Sequence, residues 1–142
     1  MTANSRSGYQ TEQNHIHFLR KVITFADDGT TVSLGWLPDN ATVIRGGVAV
    51  TTAFDGDTTN TLDLGYRNGG NSETDDTDEF ATDLALGTAG VIVADEMATA
   101  GQVHFTKGAE VVGVVVSTAS ATAGSGIAFV EYIVDNDGTF AS

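Results

Sequence analysis

The sequence predicts an all-β fold, a β-sandwich of about eight or nine strands, and three observations indicate it. Residues 37–66 place short runs between polar, glycine-bearing turns, and the runs at 48–54 and 62–66 have the two-residue period of a half-buried strand. Turn signals recur at steps of roughly 8 to 15 residues, which is typical of a sandwich rather than of alternating strands and helices. Hydrophobic residues make up 41% of the 142 residues, and valine and threonine, which favour strands, are frequent.

The N-terminal region divides into an arm and two predicted strands. Residues 1–14 are polar and without periodicity, so we expect a short flexible arm, followed by one sandwich domain over residues 15–142. The first strand begins at His15 and carries Ile16, Phe18 and Val22 on one apolar face. Residues 31–37 form the second strand, and the intervening Asp-Gly turn predicts a hairpin between the two.

The central strands show the clearest alternation. Val48 and Val50 lie on one face of a predicted strand, and Leu62 and Leu64 repeat the pattern after a turn at residues 55–57. The glycine pair at residues 46–47 predicts a bulge or sharp bend, as a strand needs where it passes from one sheet to the other.

The second half begins with an acidic segment. Residues 67–83 predict a surface loop, whose end is expected to form one or two helical turns capped by Thr77 or Asp78. Four strands follow, at residues 90–97, 102–106, 110–118 and 126–135.

Two of these later strands are apolar on both faces, residues 111–116 and the last strand. A lone molecule rarely leaves a broad apolar patch in water, so the surplus predicts contact with another subunit. Val111, Val115 and Tyr132 are the predicted subunit-interface residues. The alternative is that the surplus packs under the acidic loop.

Several segments, taken in order, resemble the small cement or decoration proteins on the outside of bacteriophage heads. The similar residues are 37–38, 42–50, 51–56, 61–65 and the aromatic closing strand 129–132. The resemblance covers most of the chain after residue 30. It implies a jelly-roll sandwich that assembles as a homotrimer, binds the major capsid protein on the outer capsid surface, and joins the virion in the host cytoplasm.

Charge asymmetry suggests which part would face the capsid. Arg6, Arg20, Lys21 and Arg45 lie in the first third of the chain, whereas the later part is mostly acidic. With Tyr9, whose residue type is frequent at interface anchors, these four cations form the predicted capsid interface.

The composition argues against several other partners, and against disulfides or thiolate metal sites as a source of stability. The net charge is −13, from 19 acidic residues against 6 Lys plus Arg, so nucleic acid is a poor partner. There is no cysteine, hence neither disulfides nor thiolate metal sites. The longest apolar run is far shorter than the roughly 20 residues that span a bilayer, so we expect no membrane partner.

No pattern predicts catalysis, and we expect neither an enzyme nor a cofactor. His15 and His17 have a spacing compatible with a metal site, but a third ligand such as His104 would have to come from a distant strand. Asp-Gly segments at residues 55–57 and 135–138 resemble fragments of calcium loops, but they lack the closing glutamate, and tight turns use the same residues. We therefore expect no metal.

The sequence is also compatible with a second function, that of a receptor-binding or carbohydrate-binding domain of a phage fibre. Sugar recognition uses exposed aromatic platforms, for which Trp36 and Tyr66 are the candidates. Both also fit core positions in their strands.

Overall fold

The computed structural model describes residues 15–69, 74–94 and 104–134, which form nine β-strands and one short 3-10 helix. The strands are β1 His17–Thr24, β2 Thr31–Trp36, β3 Ala41–Thr52, β4 Asn60–Arg67, β5 Asp76–Ala85, β6 Gly90–Val93, β7 His104–Phe105, β8 Glu110–Ser117 and β9 Ser125–Val134, and the helix is Phe25–Asp27. Within these ranges no helix has the length and apolar composition needed to cross a membrane.

The strands form two antiparallel sheets, and this confirms the predicted sandwich. Sheet A has the order β1-β9-β3-β6, with the short β7 also paired to β3. Sheet B has the order β2-β8-β4-β5. The first and last strands of the chain are therefore neighbours, and the domain is closed by pairing between residues that are far apart in sequence.

The core lies between the two sheets and follows the predicted alternation. Val48 and Val50 of β3 are buried against Leu62 and Leu64 of β4 in one hydrophobic cluster. Burial of the apolar side chains between the two sheets stabilises the fold by about 25 cal/mol per Å² of apolar surface. At one end of the core, three aromatic rings pack together: Tyr66, Phe80 and Phe105, with centroids 4.9 to 6.0 Å apart.

The predicted hairpin between the first two strands is wrong. β1 pairs with β9 and β2 pairs with β8, so the two strands belong to different sheets. Their connection crosses the end of the sandwich and is held on β8, where Gly29 N donates to Val115 O and Ser117 N donates to Asp28 Oδ1. The Asp-Gly signal marked a real turn, but a turn signal does not determine which strand pairs with which.

The predicted helical turns at the end of the acidic segment are also wrong, because this region is strand β5. Phe80, Ala81 and Leu84 are buried, and β5 pairs with β4. The register shifts between Leu64 and Tyr66, so the strand is irregular. This irregularity buries two consecutive side chains and gives the sequence the helix-like spacing that suggested a turn of helix.

The apolar surplus of β8 is covered within the chain itself. Val111 and Val115 are fully buried in the core, so they offer no surface to another subunit, and their assignment to a subunit interface is corrected. Val112 is buried on the opposite side and pairs with Gly65 of β4. The backbone of Asp76 and Thr77 crosses directly over Gly65 on this side. For β8 the structure therefore supports the alternative prediction, that the acidic segment covers its second apolar side.

Candidate protein-docking face

The outer side of sheet A carries three rows of side chains that run across its strands. One row is Phe18, Glu131 and Arg45; the second is Arg20, Phe129, Gly47 and Val93; the third is Val22, Ile127, Ala49 and Val91. We call these eleven residues the docking face. Each row is set by the strand register, and alternation places the neighbouring residues of every strand toward the core.

The docking face is unusually apolar for a surface. Val91 is 69% exposed, Phe18 60%, Val22 55% and Val93 49%. Singly exposed apolar residues are ordinary, whereas a contiguous patch marks an interaction site on most proteins. These four side chains lie on the two outer strands of sheet A, β1 and β6. The half-buried Ile127, Phe129 and Ala49 of the strands between them connect them, so the apolar patch is continuous.

A shallow depression lies on this face between β1 and β9. It has a volume of about 270 Å³ and is lined by Phe18, Arg20, Ile127, Phe129 and Glu131. Gly47 leaves room for the Phe129 ring that lines this depression, because a Cβ at position 47 would lie 2.9 Å from Cζ of the ring. The glycine therefore lets the ring lie down across β3 instead of standing off the sheet.

Charge is distributed very unevenly between the two sheets. The described strands of sheet A contain three cations, Arg20, Lys21 and Arg45, and one carboxylate, Glu131. The strands of sheet B contain one cation and six carboxylates, at Arg67 and at Asp63, Asp76, Asp78, Glu79, Asp83 and Glu110. On a chain with a net charge of −13, the docking face is thus a locally basic region.

The single carboxylate of the docking face is engaged by a cation of the same face. Glu131 Oε2 lies 2.6 Å from Arg45 Nε, across the register between β9 and β3. A shift in register between Val43 and Arg45 places the guanidinium there, and this irregularity lies just before the glycine pair that predicted a bulge. Arg20 lines the same depression from β1, so this side of the face presents two guanidinium groups to one carboxylate.

The structure brings some of the predicted capsid-interface residues together and separates others. Arg20 and Arg45, 25 positions apart in the sequence, lie on one face with β9 between them. Lys21 alternates to the other side of β1, where it is exposed because β1 is at the edge of the sheet. Arg6 and Tyr9 lie outside the described residues.

Tyr132, predicted to contact another subunit, lies near one end of sheet A. It is partly buried against the core and stacks on His17, with ring centroids 5.5 Å apart. Burial raises the pKa of its hydroxyl group. Its role in a subunit contact stays a prediction.

The docking-face residues that the sequence interpretation did not assign are mainly apolar, namely Phe18, Val22, Phe129, Val91 and Val93. A signal was present for two strands, because β1 and β9 both carry apolar residues on the side that the structure turns outward. Alternation alone does not tell which of two apolar sides is covered.

Sheet B carries a different, polar arrangement on its outer side. Arg67 Nε donates to Glu110 Oε1 at 2.7 Å, and Asn68 Nδ2 lies 3.4 Å from the same oxygen. The hydrogen bond from Arg67, followed by one from Ser33, lowers the pKa of the Glu110 carboxyl and keeps it ionised. Trp36 pairs with Glu110 in the register and is 59% exposed, so it does not take the core position that its strand also allowed, whereas Tyr66 is buried in the core.

Three of the candidate metal-binding residues make structural contacts, whereas residues 135–138 lie outside the described residues. The Asp55 carboxylate accepts hydrogen bonds from Thr122 N, Thr122 Oγ1 and Ala123 N, and these bonds lower its pKa. Its oxygens therefore hold the loop before β9. His17 stacks on Tyr132, and His104 Nδ1 lies 2.7 Å from Thr42 Oγ1. Among the described residues, no three groups suited to metal ligation come together.

Three solved structures of bacteriophage capsids contain chains with this fold. A chain of the cyanophage Pam1 capsid asymmetric unit is 16% identical, with a TM-score of 0.60 over 85% of this chain and 86% of that chain. A chain of the capsid of Helicobacter pylori bacteriophage KHP30 is 17% identical, with a TM-score of 0.61 over 86% and 90%. A chain of the Ralstonia phage GP4 capsid is 25% identical, with a TM-score of 0.60 over 87% and 86%.

Comparison of the amino-acid sequence with protein-family models and with curated proteins finds no match. At these identities the similarity is one of fold, and it extends over nearly the whole length of both partners in each pair. The chain therefore shares its fold, over at least 85% of its length, with chains of three phage capsids.

Proposed function

We propose that this chain is a non-catalytic structural protein of a phage virion, and more specifically a decoration or cement protein on the outer surface of the capsid. The observation that carries the proposal is the fold similarity to chains of three phage capsids over at least 85% of this chain. The fold alone does not fix function, so a surface suited to protein contact is needed as well, and the docking face supplies one.

The strand order supports the jelly-roll form of this sandwich. Among the described strands β1 pairs with β9 and β2 pairs with β8, and the chain changes sheet at every step except β4 to β5 and β6 to the short additional strand β7. A jelly roll is built from two Greek keys with this kind of pairing. The resemblance of the sequence to decoration proteins further suggests a homotrimer.

The proposed physical role is stabilisation of an assembled shell. A protein that contacts several neighbouring capsid subunits at once gains binding free energy from the closed shell and much less from a free subunit. Mass action then shifts the equilibrium toward the assembled capsid. The chain would need no catalytic group for this role.

Co-sedimentation tests the proposal. The purified chain is mixed with assembled capsids of its phage and, separately, with free major capsid protein, and its molar mass is measured by light scattering. We expect a trimer that sediments with assembled capsids and is not retained by free subunits. A chain that stays in solution in the presence of capsids would contradict the proposed function.

The exposure of Trp36 favours a second candidate function, that of a receptor-binding or carbohydrate-binding domain. Its indole is 59% exposed and borders the Glu110–Arg67 pair, so an aromatic surface stands beside polar groups. Titration with host cell-surface polysaccharide, followed by tryptophan fluorescence, tests this function. A saturable change that is lost in Trp36→Ala would favour it over capsid decoration.

A further inference from the structure

We propose that the docking face is the surface by which the chain sits on the capsid, and that the capsid surface it meets is apolar and bordered by carboxylates. This inference rests on the proposed function and deepens it, because it assigns the contact to particular residues. It also assigns the opposite side of the sandwich, the outer side of sheet B, to solvent.

The first argument is the degree of exposure. The third row of the face is entirely apolar across four strands, from Val22 through Ile127 and Ala49 to Val91. Together with Phe18 and Val93, this row offers apolar area that no other described segment of the chain covers. Removal of such a patch from water favours association with a partner that is itself apolar at the point of contact.

The second argument is charge complementarity. Arg20 and Arg45 lie beside the apolar rows, and Glu131 is the only carboxylate of the face. The six carboxylates of the sheet B strands lie on the other sheet. A partner that places carboxylates against the two guanidinium groups gains charge-assisted hydrogen bonds, whereas a basic partner is repelled.

A second copy of the chain fits this face less well. Two docking faces brought together would bury four guanidinium groups with only two carboxylates, each already engaged by Arg45, so the contact would carry unbalanced positive charge. A docking face placed on the acidic outer side of another sheet B would join opposite sides of the sandwich, and such a contact propagates as an open stack instead of closing.

The size of the face also favours a capsid. Strands lie about 4.8 Å apart and alternate residues about 6.8 Å apart, so each residue takes about 33 Å² and the eleven residues cover on the order of 350 Å². A stable pairwise complex buries about 800 Å² on each partner. A contact this small gains strength when several copies bind one lattice at the same time.

Two matched pairs of variants test the assignment. Arg20→Glu and Lys21→Glu change the charge equally at neighbouring residues of β1, but only Arg20 is on the docking face. Phe18→Asp and Trp36→Asp introduce a carboxylate at positions that are 60% and 59% exposed, on sheet A and sheet B respectively. Each purified variant is titrated onto assembled capsids at low and high salt, and its thermal midpoint and molar mass are measured alone.

We expect Arg20→Glu and Phe18→Asp to reduce the apparent affinity for capsids by about tenfold or more, because both residues line the depression of the docking face. Lys21→Glu and Trp36→Asp should stay within about twofold of the wild type, as substitutions outside an interface do. Wild-type binding should weaken with added salt, since exposed charges contribute to it. All four variants should keep the wild-type thermal midpoint and molar mass.

Other outcomes separate the two proposals. If the wild type does not bind capsids, the proposed function fails and this inference fails with it. If the wild type binds and all four variants bind equally well, the function stands and the inference is wrong. A change of molar mass in Phe18→Asp without loss of capsid binding would assign the face to a second copy. A large fall in thermal midpoint with normal binding would show that the chain covers its own face. Either result overturns the inference.

Discussion

The two sheets of the sandwich differ most on the sides that face away from the core. The outer side of sheet A carries exposed valines and a phenylalanine with two arginines, and Glu131 is its one carboxylate. The outer side of sheet B carries a hydrogen-bonded ion pair, Arg67–Glu110, on strands with six carboxylates. Sheet B also exposes Trp36 and Val116, but its strands carry one cation against six carboxylates, whereas the apolar residues of the docking face lie beside two arginines.

This difference indicates that one side of the sheet A strands stabilises the fold, whereas the other side is available for binding. On β9, Ala128 and Val130 are fully buried, while Ile127 and Phe129, which alternate with them, belong to the docking face. Both sets are apolar, so hydrophobicity does not separate them. Their environments do, and substitutions can therefore test the two roles independently.

The largest expected effect concerns two phenylalanines in different environments. Phe105 packs edge-on against Tyr66 in the core, and Phe105→Ala should lower the free energy of unfolding by about 3 to 5 kcal/mol. Phe18→Ala removes an exposed ring and should change it by less than about 0.5 kcal/mol. Urea unfolding of both variants measures the difference, and a loss of similar size in the two would show that Phe18 is covered.

The second prediction compares glycines on the two outer sides. Gly65→Ala would drive a methyl group into the backbone of Asp76, and Gly47→Ala would drive one into the Ile92 carbonyl and the Phe129 ring. Each should cost about 1 to 3 kcal/mol in unfolding free energy, because such overpacking forces the neighbours to move. Gly47→Ala should also weaken capsid binding, since it tilts Phe129.

The matched control is Gly87→Ala. Nothing lies within 4 Å of a Cβ at this position, so the variant should unfold as the wild type does. Equal destabilisation by all three alanines would mean that the close contacts at Gly47 and Gly65 carry no weight.

The third prediction is a pH dependence that belongs to sheet B. The hydrogen bond from Arg67 lowers the pKa of Glu110, so the folded state holds the ionised carboxylate more firmly than the unfolded chain. This contribution is complete above the unfolded pKa of about 4.3 and is lost as the pH falls through the lower, folded pKa. Unfolding free energies measured between neutral and acid pH should therefore fall less steeply for Glu110→Gln than for the wild type. Parallel curves would contradict the assignment.

The smallest expected effect on stability belongs to sheet A. Glu131→Gln breaks an exposed ion pair with Arg45, and exposed pairs contribute about 0 to 1 kcal/mol, so the thermal midpoint should hardly move. The same variant removes the only carboxylate of the docking face and should strengthen binding to an acidic capsid surface by a small factor. Weaker binding by Glu131→Gln would indicate a basic partner surface instead.

Local patterns in the sequence predicted the strands well, because alternation is a property of neighbouring residues. Val48 and Val50, with Leu62 and Leu64, are buried as their spacing indicated. Pairing is not local, and for that reason the expected hairpin between β1 and β2 was wrong. The irregular strand β5 shows a further limit, since a change in register can imitate the spacing of a helix.

The candidate site was predictable only in part, for the same physical reason. Arg20 and Arg45 were selected by charge, and the structure places them on one face because β9 pairs with both of their strands. The apolar members were not selected, since an exposed and a buried side of a strand can have the same composition. Phe18 and Val22 are more hydrophobic than Lys21 on the opposite side of β1, and yet they face outward.

Oxidative footprinting of side chains tests the central claim most directly, because Phe18 and Trp36 are equally exposed on the two outer sides of the sandwich. Hydroxyl-radical labelling of both residues is measured by mass spectrometry in the free chain and on assembled capsids. The account predicts that labelling of Phe18 falls several-fold on the capsid while labelling of Trp36 is unchanged. Protection of Trp36 with Phe18 still fully labelled would contradict it.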